Sequence, residues 1–561
     1  MWKLQDLVYE RPDMDAFRAE FGALIDEFEA AEGYAAQKDA FLRLNAKLVM
    51  LMDLTTLMTI RHNADTADEF YDQENSFWDE TIPTLLPLQK RAADAICDAK
   101  FRADFEGEYG AHFLRKKDAE RKLADERIMA DSIRENELTT RYDKLVAQCK
   151  AQFAGEECNF YGLLKHMEDR DRGTRKAASE TWAGLYAGVS EELNEIYTEL
   201  LAVRERIAKT LGFESYLEYI YTTYFRFDYT PADVERFRAG VVQSVVPLAA
   251  KLYAAQAERI GCPDFHFYDE KLVYPDGNPM PAHAPDGLVE AANKFYHELS
   301  PETGEFFDFM REHNLFDLVT RPNKHLGGYC TILFERGAPF IFSNFNGTSA
   351  DVDVLTHEAG HAFAFYTSAR NQPILDLVDT NTEIAEVHSM SMELFAHPWM
   401  EDFFGDDVKK YRAGHLAEAV CTIPYLVAVD EFQHHSVAKP DMSAAERAAV
   451  WKAMEQKYMP WRSYDGNEFL EAGGFWMQKQ HIFLYPFYYI EYSLAEMGAL
   501  DFYLRFNEDR ENAWTDYLAL CKAGGSVGYF DLLKIAGLRN PFVTENVVDI
   551  MTAIAAKLET M

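Results

Sequence analysis

Along most of this chain, apolar residues return every three or four positions, the spacing that gives a helix one buried face. The pattern runs with few breakers from about residue 15 to 215. Its clearest stretches are Ala36 to Ile60, rich in Leu, Met, Ala and Lys, and Ala178 to Leu211, and each predicts a long helix. Thr230-Pro231-Ala232-Asp233 predicts a helix start: threonine caps, proline fills the first turn where its missing N–H costs nothing, and an acid follows. Between about 262 and 350 the texture changes. Tyr274-Pro275-Asp276-Gly277-Asn278-Pro279 is a turn signal. Gly327 to Phe334 and Pro339 to Phe342 read as short strands, and Glu335-Arg336-Gly337-Ala338 between them suits a hairpin connection. Helical spacing resumes at Ser349, which is placed to cap the next helix, and continues to the end. The expected fold is mainly α, with a small β-sheet beside the helix that begins near 349.

Length and composition add bounds. A chain of 561 residues exceeds what one hydrophobic core usually holds. We expect a helical N-terminal lobe over 1–200 and a second domain, carrying the chemistry below, over 201–561. Acidic residues outnumber basic ones 93 to 56, a net charge of −37, and such a field repels nucleic acid. No run of apolar residues is long enough to span a membrane, and the first residues, Met-Trp-Lys-Leu-Gln-Asp, lack the pattern of a signal peptide. The seven cysteines are scattered, with no CxxC pair, which fits reduced thiols and a cytoplasmic setting. No feature of the sequence sets an oligomeric state.

His357-Glu358-Ala359-Gly360-His361 carries the most specific chemistry. Positions i and i+4 of a helix lie about 40° apart on one face, so both imidazoles can reach one Zn²⁺. Glu358, on the flank of that face, can take a proton from a water beside the metal without being a ligand. Val352, Leu355, Ala359, Ala362, Phe363 and Tyr366 share a helical face, and the two histidines project from the other side. A third ligand must come from elsewhere, because the extended HExxHxxGxxH pattern is absent: Ala364 and Thr367 stand where it requires Gly and His. The next helix, from about Asn381-Thr382, offers Glu383, Glu386 and His388, and chemistry alone does not choose among them. Its apolar stripe is Ile384, Val387, Ser391 and Leu394, with Glu386 and Glu393 sharing a flank. Further on, His481, Tyr485, Tyr488 and Tyr492 would line one face of a continuous helix. Pro486 breaks that continuity, so the helix is expected to restart there, with His481 and Tyr485 on the preceding loop.

The segments GGYCT (327–331), PFIFSNFNGT (339–348), DVLTHEAGHAF (353–363), EIAEVHSMSMELF (383–395) and HIFLYPFYYIEY (481–492) together resemble the oligoendopeptidase F / Pz-peptidase branch of the thimet oligopeptidase superfamily of zinc metallopeptidases. The resemblance implies two helical lobes enclosing a deep substrate channel. It also implies a third zinc ligand 25 residues after the second histidine, which is Glu386. It implies one zinc ion per chain, held by His357, His361 and Glu386, with Glu358 as general base and oligopeptides as substrates. His481 and Tyr492 would stabilise the oxyanion, and Tyr485 and Tyr488 would place substrate. Glu393 is expected to orient a ligand imidazole. Gly327 and Gly328 suit an extended peptide added beside a strand. Rival readings are a C-terminal exopeptidase of the same superfamily, a non-catalytic peptide binder, and a di-iron carboxylate enzyme built on the pairs Glu358/His361 and Glu431/His434.

Overall fold

The computed structural model describes residues 2–325 and 327–561. Helix α1 (Met14–Ala30) opens on Asp13, whose carboxylate accepts from the amides of Asp15 and Ala16, and it buries Phe17, Phe21, Leu24, Ile25 and Phe28. It packs on α2 (Tyr34–Ala64), the long helix expected near 36–60. Helix α3 (Arg172–Thr210) runs for 39 residues, so residue 200, where the sequence suggested a lobe boundary, lies inside one continuous rod. Thr230 caps the following helix through a reciprocal bond pattern with Asp233, as its Thr-Pro-x-Asp signature predicts.

The helical texture with few breakers expected from about 15 to 215 is interrupted by a short hairpin that the sequence did not signal. Strands β1 (Ala151–Phe153) and β2 (Glu156–Cys158) form an antiparallel hairpin, turned by Ala154 and Gly155 at positive φ. Three-residue strands are too short for an alternating pattern to register in sequence.

The sheet beside the motif has three strands: β3 (Phe316–Val319), β4 (Tyr329–Leu333) and β5 (Ala338–Phe345), in the order β3-β5-β4. β4 and β5 form the expected hairpin, with Tyr329 opposite Phe342 and Leu333 opposite Ala338. Gly337 takes the left-handed conformation at the turn. β3, which the sequence did not reveal, pairs parallel to β5. β5 is the central strand and almost wholly buried, while β4 pairs on one side only.

Helix α4 (Ala350–Asn371) packs against β5 and carries the His357–His361 motif. Its predicted apolar face is buried, with Val352, Leu355, Ala359, Ala362 and Phe363 fully shielded from solvent. Ser349 does not cap it. That residue already has helical dihedrals, which turn its hydroxyl away from the first-turn amides. Helix α5 (Thr382–Phe395) lies between α4 and α6 (Tyr489–Glu508). Neighbours cover α5 on both sides, and Glu383, Glu386 and His388 are all buried.

Candidate active site

Two glycines set how closely α5 is held. A Cβ at Gly360 would come within 2.7 Å of the His388 carbonyl oxygen and the Ser389 Cα, and one at Gly498 within 2.9 Å of Val387. Both helices flanking α5 therefore approach it at positions that tolerate no side chain. This brings Glu386 opposite the motif.

The Glu386 Oε2 lies 3.4 Å from His357 Nε2 and 3.5 Å from His361 Nε2. A tetrahedral ion with ligands about 2.05 Å away separates neighbouring ligand atoms by roughly 3.3 Å, so the three donors fit a single small cation. Burial opposes charge on Glu386, yet the His361 and His357 imidazoles hold its carboxyl below the usual range, so it stays ionised. Ser389 Oγ also donates to Glu386 Oε2, at 3.1 Å.

Behind these groups runs a buried line of polar side chains. Glu393 Oε1 lies 2.6 Å from His357 Nδ1, and its Oε2 lies 2.9 Å from His415 Nε2. His415 Nδ1 lies 2.9 Å from His397 Nε2. With Nδ1–H engaged by a carboxylate, Nε2 is the His357 nitrogen that would be left for a metal once its proton is displaced. The expected role of Glu393 thus has matching geometry. The continuation to His415 and His397 was missed, because those residues are remote in sequence and carry no motif.

The rival ligands on α5 lie against other neighbours than the motif. Glu383 accepts from the Tyr229 phenol. The His388 ring packs edge-on to Tyr517, whose hydroxyl donates to the His388 carbonyl at 2.9 Å, and burial lowers the imidazole to about 3. The second pair of the di-iron reading is also occupied, since Glu431 binds Lys457 and Tyr458, and His434 faces Asp430 at 3.6 Å. Among the described residues, one other donor cluster has metal-like spacing: Glu156, Cys158 and His166 at the first hairpin, with Glu156 exposed.

Glu358 is buried beside the histidines, and burial raises its carboxyl above the usual range. A Cβ on Gly328 would sit 3.8 Å from Glu358 Oε1, so the glycine before β4 lies against this carboxylate. Gly327 has positive φ, and Asn344 donates to its carbonyl at 2.8 Å.

The 481–492 segment differs from expectation in its local form. His481 sits on a short helix, Gln480–Leu484, rather than on a loop. The long helix restarts at Tyr489, not at Pro486, because Phe487 takes a positive φ and delays it. Despite the break, His481 lies 6.0 Å from the Tyr488 ring and 6.3 Å from the Tyr492 ring, between centroids. Tyr488 donates to Glu386 Oε1 at 3.0 Å and packs edge-on to Tyr492, with ring centres 5.1 Å apart. Burial pushes both phenols well above their ordinary pKa and lowers His481 to about 4. Tyr485 is 53% exposed, at the outer end of the group.

This arrangement can be compared with known proteins. The sequence profile of peptidase family M3 matches residues 165–550, and that of the peptidase M3 N-terminal domain matches residues 4–124. The chain belongs to peptidase family M3. Among solved structures, Pz peptidase A in complex with an inhibitor is 42% identical and superposes with a TM-score of 0.94, covering 100% of this chain and 99% of that one. Oligopeptidase PepF of Bacillus subtilis is 21% identical over 96% of this chain and 83% of its own length. The oligoendopeptidase F homolog of Borreliella burgdorferi is 26% identical, but that match spans only 38% of this chain and 37% of the relative. The M3 assignment makes the chain a metallopeptidase with the mainly helical fold of Pz peptidase, as the sequence resemblance implied. Among the described residues, no helix is long and apolar enough to cross a membrane.

Proposed function

We propose that this M3 metallopeptidase is a zinc-dependent endopeptidase that hydrolyses short, unstructured oligopeptides in the cytoplasm. His357, His361 and Glu386 would hold one zinc ion per chain, leaving a position open for reactants. The observation that carries this reading is the convergence of both Nε2 atoms on Glu386 Oε2 at 3.4 and 3.5 Å, backed by Glu393 on His357. Zinc bound there supplies a Lewis acid that polarises the scissile carbonyl and makes the attacking water more acidic.

Glu358 is the general base in this account. Its raised affinity for protons suits it to take one from water and return it to the leaving amine. Tyr492 and His481 donate hydrogen bonds to the developing oxyanion. The phenol stays protonated, and the neutral imidazole has its Nδ1 buried without a partner, which leaves Nε2 to reach the cleft. Tyr488, already bonded to Glu386, and Tyr485 at the outer end position substrate. The unpaired edge of β4 accepts an extended peptide by backbone hydrogen bonds, and Gly327 and Gly328 let its main chain pass close to Glu358. A channel between helical lobes excludes folded proteins. The free cysteines accord with a reducing compartment.

A peptide library of graded length, digested with and without a zinc chelator and read by mass spectrometry, tests this reading. Internal cleavage of short peptides is expected, abolished by the chelator and restored by added zinc. Cleavage that survives metal removal would overturn it, and release only from C-terminal ends would favour the exopeptidase.

A further inference from the structure

Next to His481 lies a cation that this mechanism does not use. Lys479 immediately precedes the short helix Gln480–Leu484 and is half-buried. Its ammonium lies 4.8 Å from the centre of the Tyr489 ring and 5.7 Å from that of Tyr425. The Tyr489 ring is in turn 4.7 Å from His481 and 5.7 Å from Tyr492. A single aromatic ring therefore separates Lys479 from the groups assigned to the oxyanion.

The surroundings of this ammonium are unusual for the molecule. Other cations in the interior have acceptors: Arg226 pairs with Glu491, Arg462 with Glu270 and Arg238 with Asp430, while Arg447 and Lys116 donate to neutral oxygens, Arg447 to Asn194 and Thr198 and Lys116 to the Asp376 carbonyl. Among the described residues, no carboxylate stands within 4.0 Å of the Lys479 nitrogen, and no oxygen accepts a hydrogen bond from it. This holds in a chain whose acids outnumber its bases 93 to 56. The faces of Tyr425 and Tyr489 offer the charge some electrostatic comfort but no acceptor for its three N–H groups. Burial, with help from the charge of Lys271, pushes the ammonium down to about 8, so it is still charged at neutral pH. A charged group that is partly desolvated and lacks a partner is costly in the free protein, and an arriving anion would relieve that cost.

We propose that Lys479 forms a carboxylate-binding subsite of the cleft, recognising a peptide that presents an acid near the cleaved bond. The proposal rests on the peptidase reading above. The acid can be the C-terminal carboxylate, which would fix the cut at a set distance from the peptide's end. It can equally be an Asp or Glu side chain, which would give a sequence preference instead.

Two kinds of matched peptide pair separate these sources. One pair differs only in a C-terminal acid or amide. The others carry amidated ends and Glu or Gln at single positions flanking the cut. For the wild type, we expect kcat/KM to favour the acidic member of one kind of pair by about tenfold, mostly through KM, the size of one charge-assisted hydrogen bond. In Lys479→Gln the ratio should fall to about one. Lys479→Arg should preserve the preference, and Lys479→Glu should invert it. Each ratio is taken within one variant, so partial misfolding cancels. A wild-type ratio near one for every pair, or a preference unchanged in Lys479→Gln, overturns the subsite while leaving the peptidase reading intact. A wild type that cleaves neither member of any pair overturns the peptidase reading and the subsite with it.

Discussion

Glu393 shows how a residue can matter without touching the reacting atoms. Its two oxygens join His357 to His415, and the His357 contact fixes which ring nitrogen is free. Partners of this kind typically account for 10–100-fold in metal affinity. Glu393→Gln keeps the shape but loses the charge-assisted bonds, so zinc affinity should fall by about that factor in a chelator competition. Affinity equal to wild type would show that His357 is oriented by packing alone. At this scale the sequence was partly legible. The helical period located His357, Glu358 and His361 on one side of α4. It left Glu383, Glu386 and His388 level, because choosing among them depends on what faces each one. The structure supplies that information: Glu383 accepts from Tyr229, the His388 ring packs on Tyr517, and Glu386 is the one that clusters with His357 and His361. The sequence gives no signal for Gly360, since its significance lies in the backbone of another helix.

The elements around the site explain its precision. Helix α5 is gripped between α4 and α6 at Gly360 and Gly498. Gly360→Ala would force a methyl group to within 2.7 Å of main-chain atoms of α5, which cannot move aside as a flexible side chain can. Overpacking of this kind costs about 1–3 kcal/mol. We expect a lower melting temperature and weaker zinc binding together, because displacing α5 carries Glu386 away. A variant that loses stability but binds zinc as tightly as wild type would contradict the coupling. The hairpin of β4 and β5 and the start of α5 were legible because turn residues and a change of period mark them. β3 was not, since a four-residue parallel strand has no local turn to announce it. The restart after Pro486 was displaced by Phe487, whose positive φ no sequence signal predicts for an aromatic residue.

For the molecule as a whole, buried ion pairs tie distant segments together. Asp269 is fully buried and receives Arg172 at 2.8 Å and Arg175 at 2.6 Å, both from the first turn of α3. Burial would raise its pKa, but the hydrogen bonds from Arg172 and Arg175 outweigh that and hold it below the usual carboxylate range. A depressed folded-state value means the stabilisation is complete above the unfolded pKa, about 3.9, and is lost as pH falls through the folded value. Asp269→Asn should therefore cost about 3–5 kcal/mol at neutral pH. Its melting temperature should approach the wild-type value only in acid, below about pH 4. A gap between the two that stays constant with pH would show that the pair's charge is irrelevant. The net charge of −37 acts at the same scale, setting a surface field hostile to polyanions. Length and composition argued for more than one lobe, and the mainly helical architecture was legible from the period alone. How the distant segments pack was not, because pairs such as Asp269 with Arg172 and Arg175 leave no local trace in sequence.

The central claim is that Glu358 serves as a proton carrier beside a zinc ion it does not bind. Glu358→Gln measures this most directly, by zinc content and peptide turnover on the same sample. The account predicts about one zinc per chain, as in wild type, with kcat reduced by 10²–10⁴-fold, the usual contribution of a general base. Turnover near the wild-type rate with zinc retained would contradict it, and so would loss of zinc from the variant.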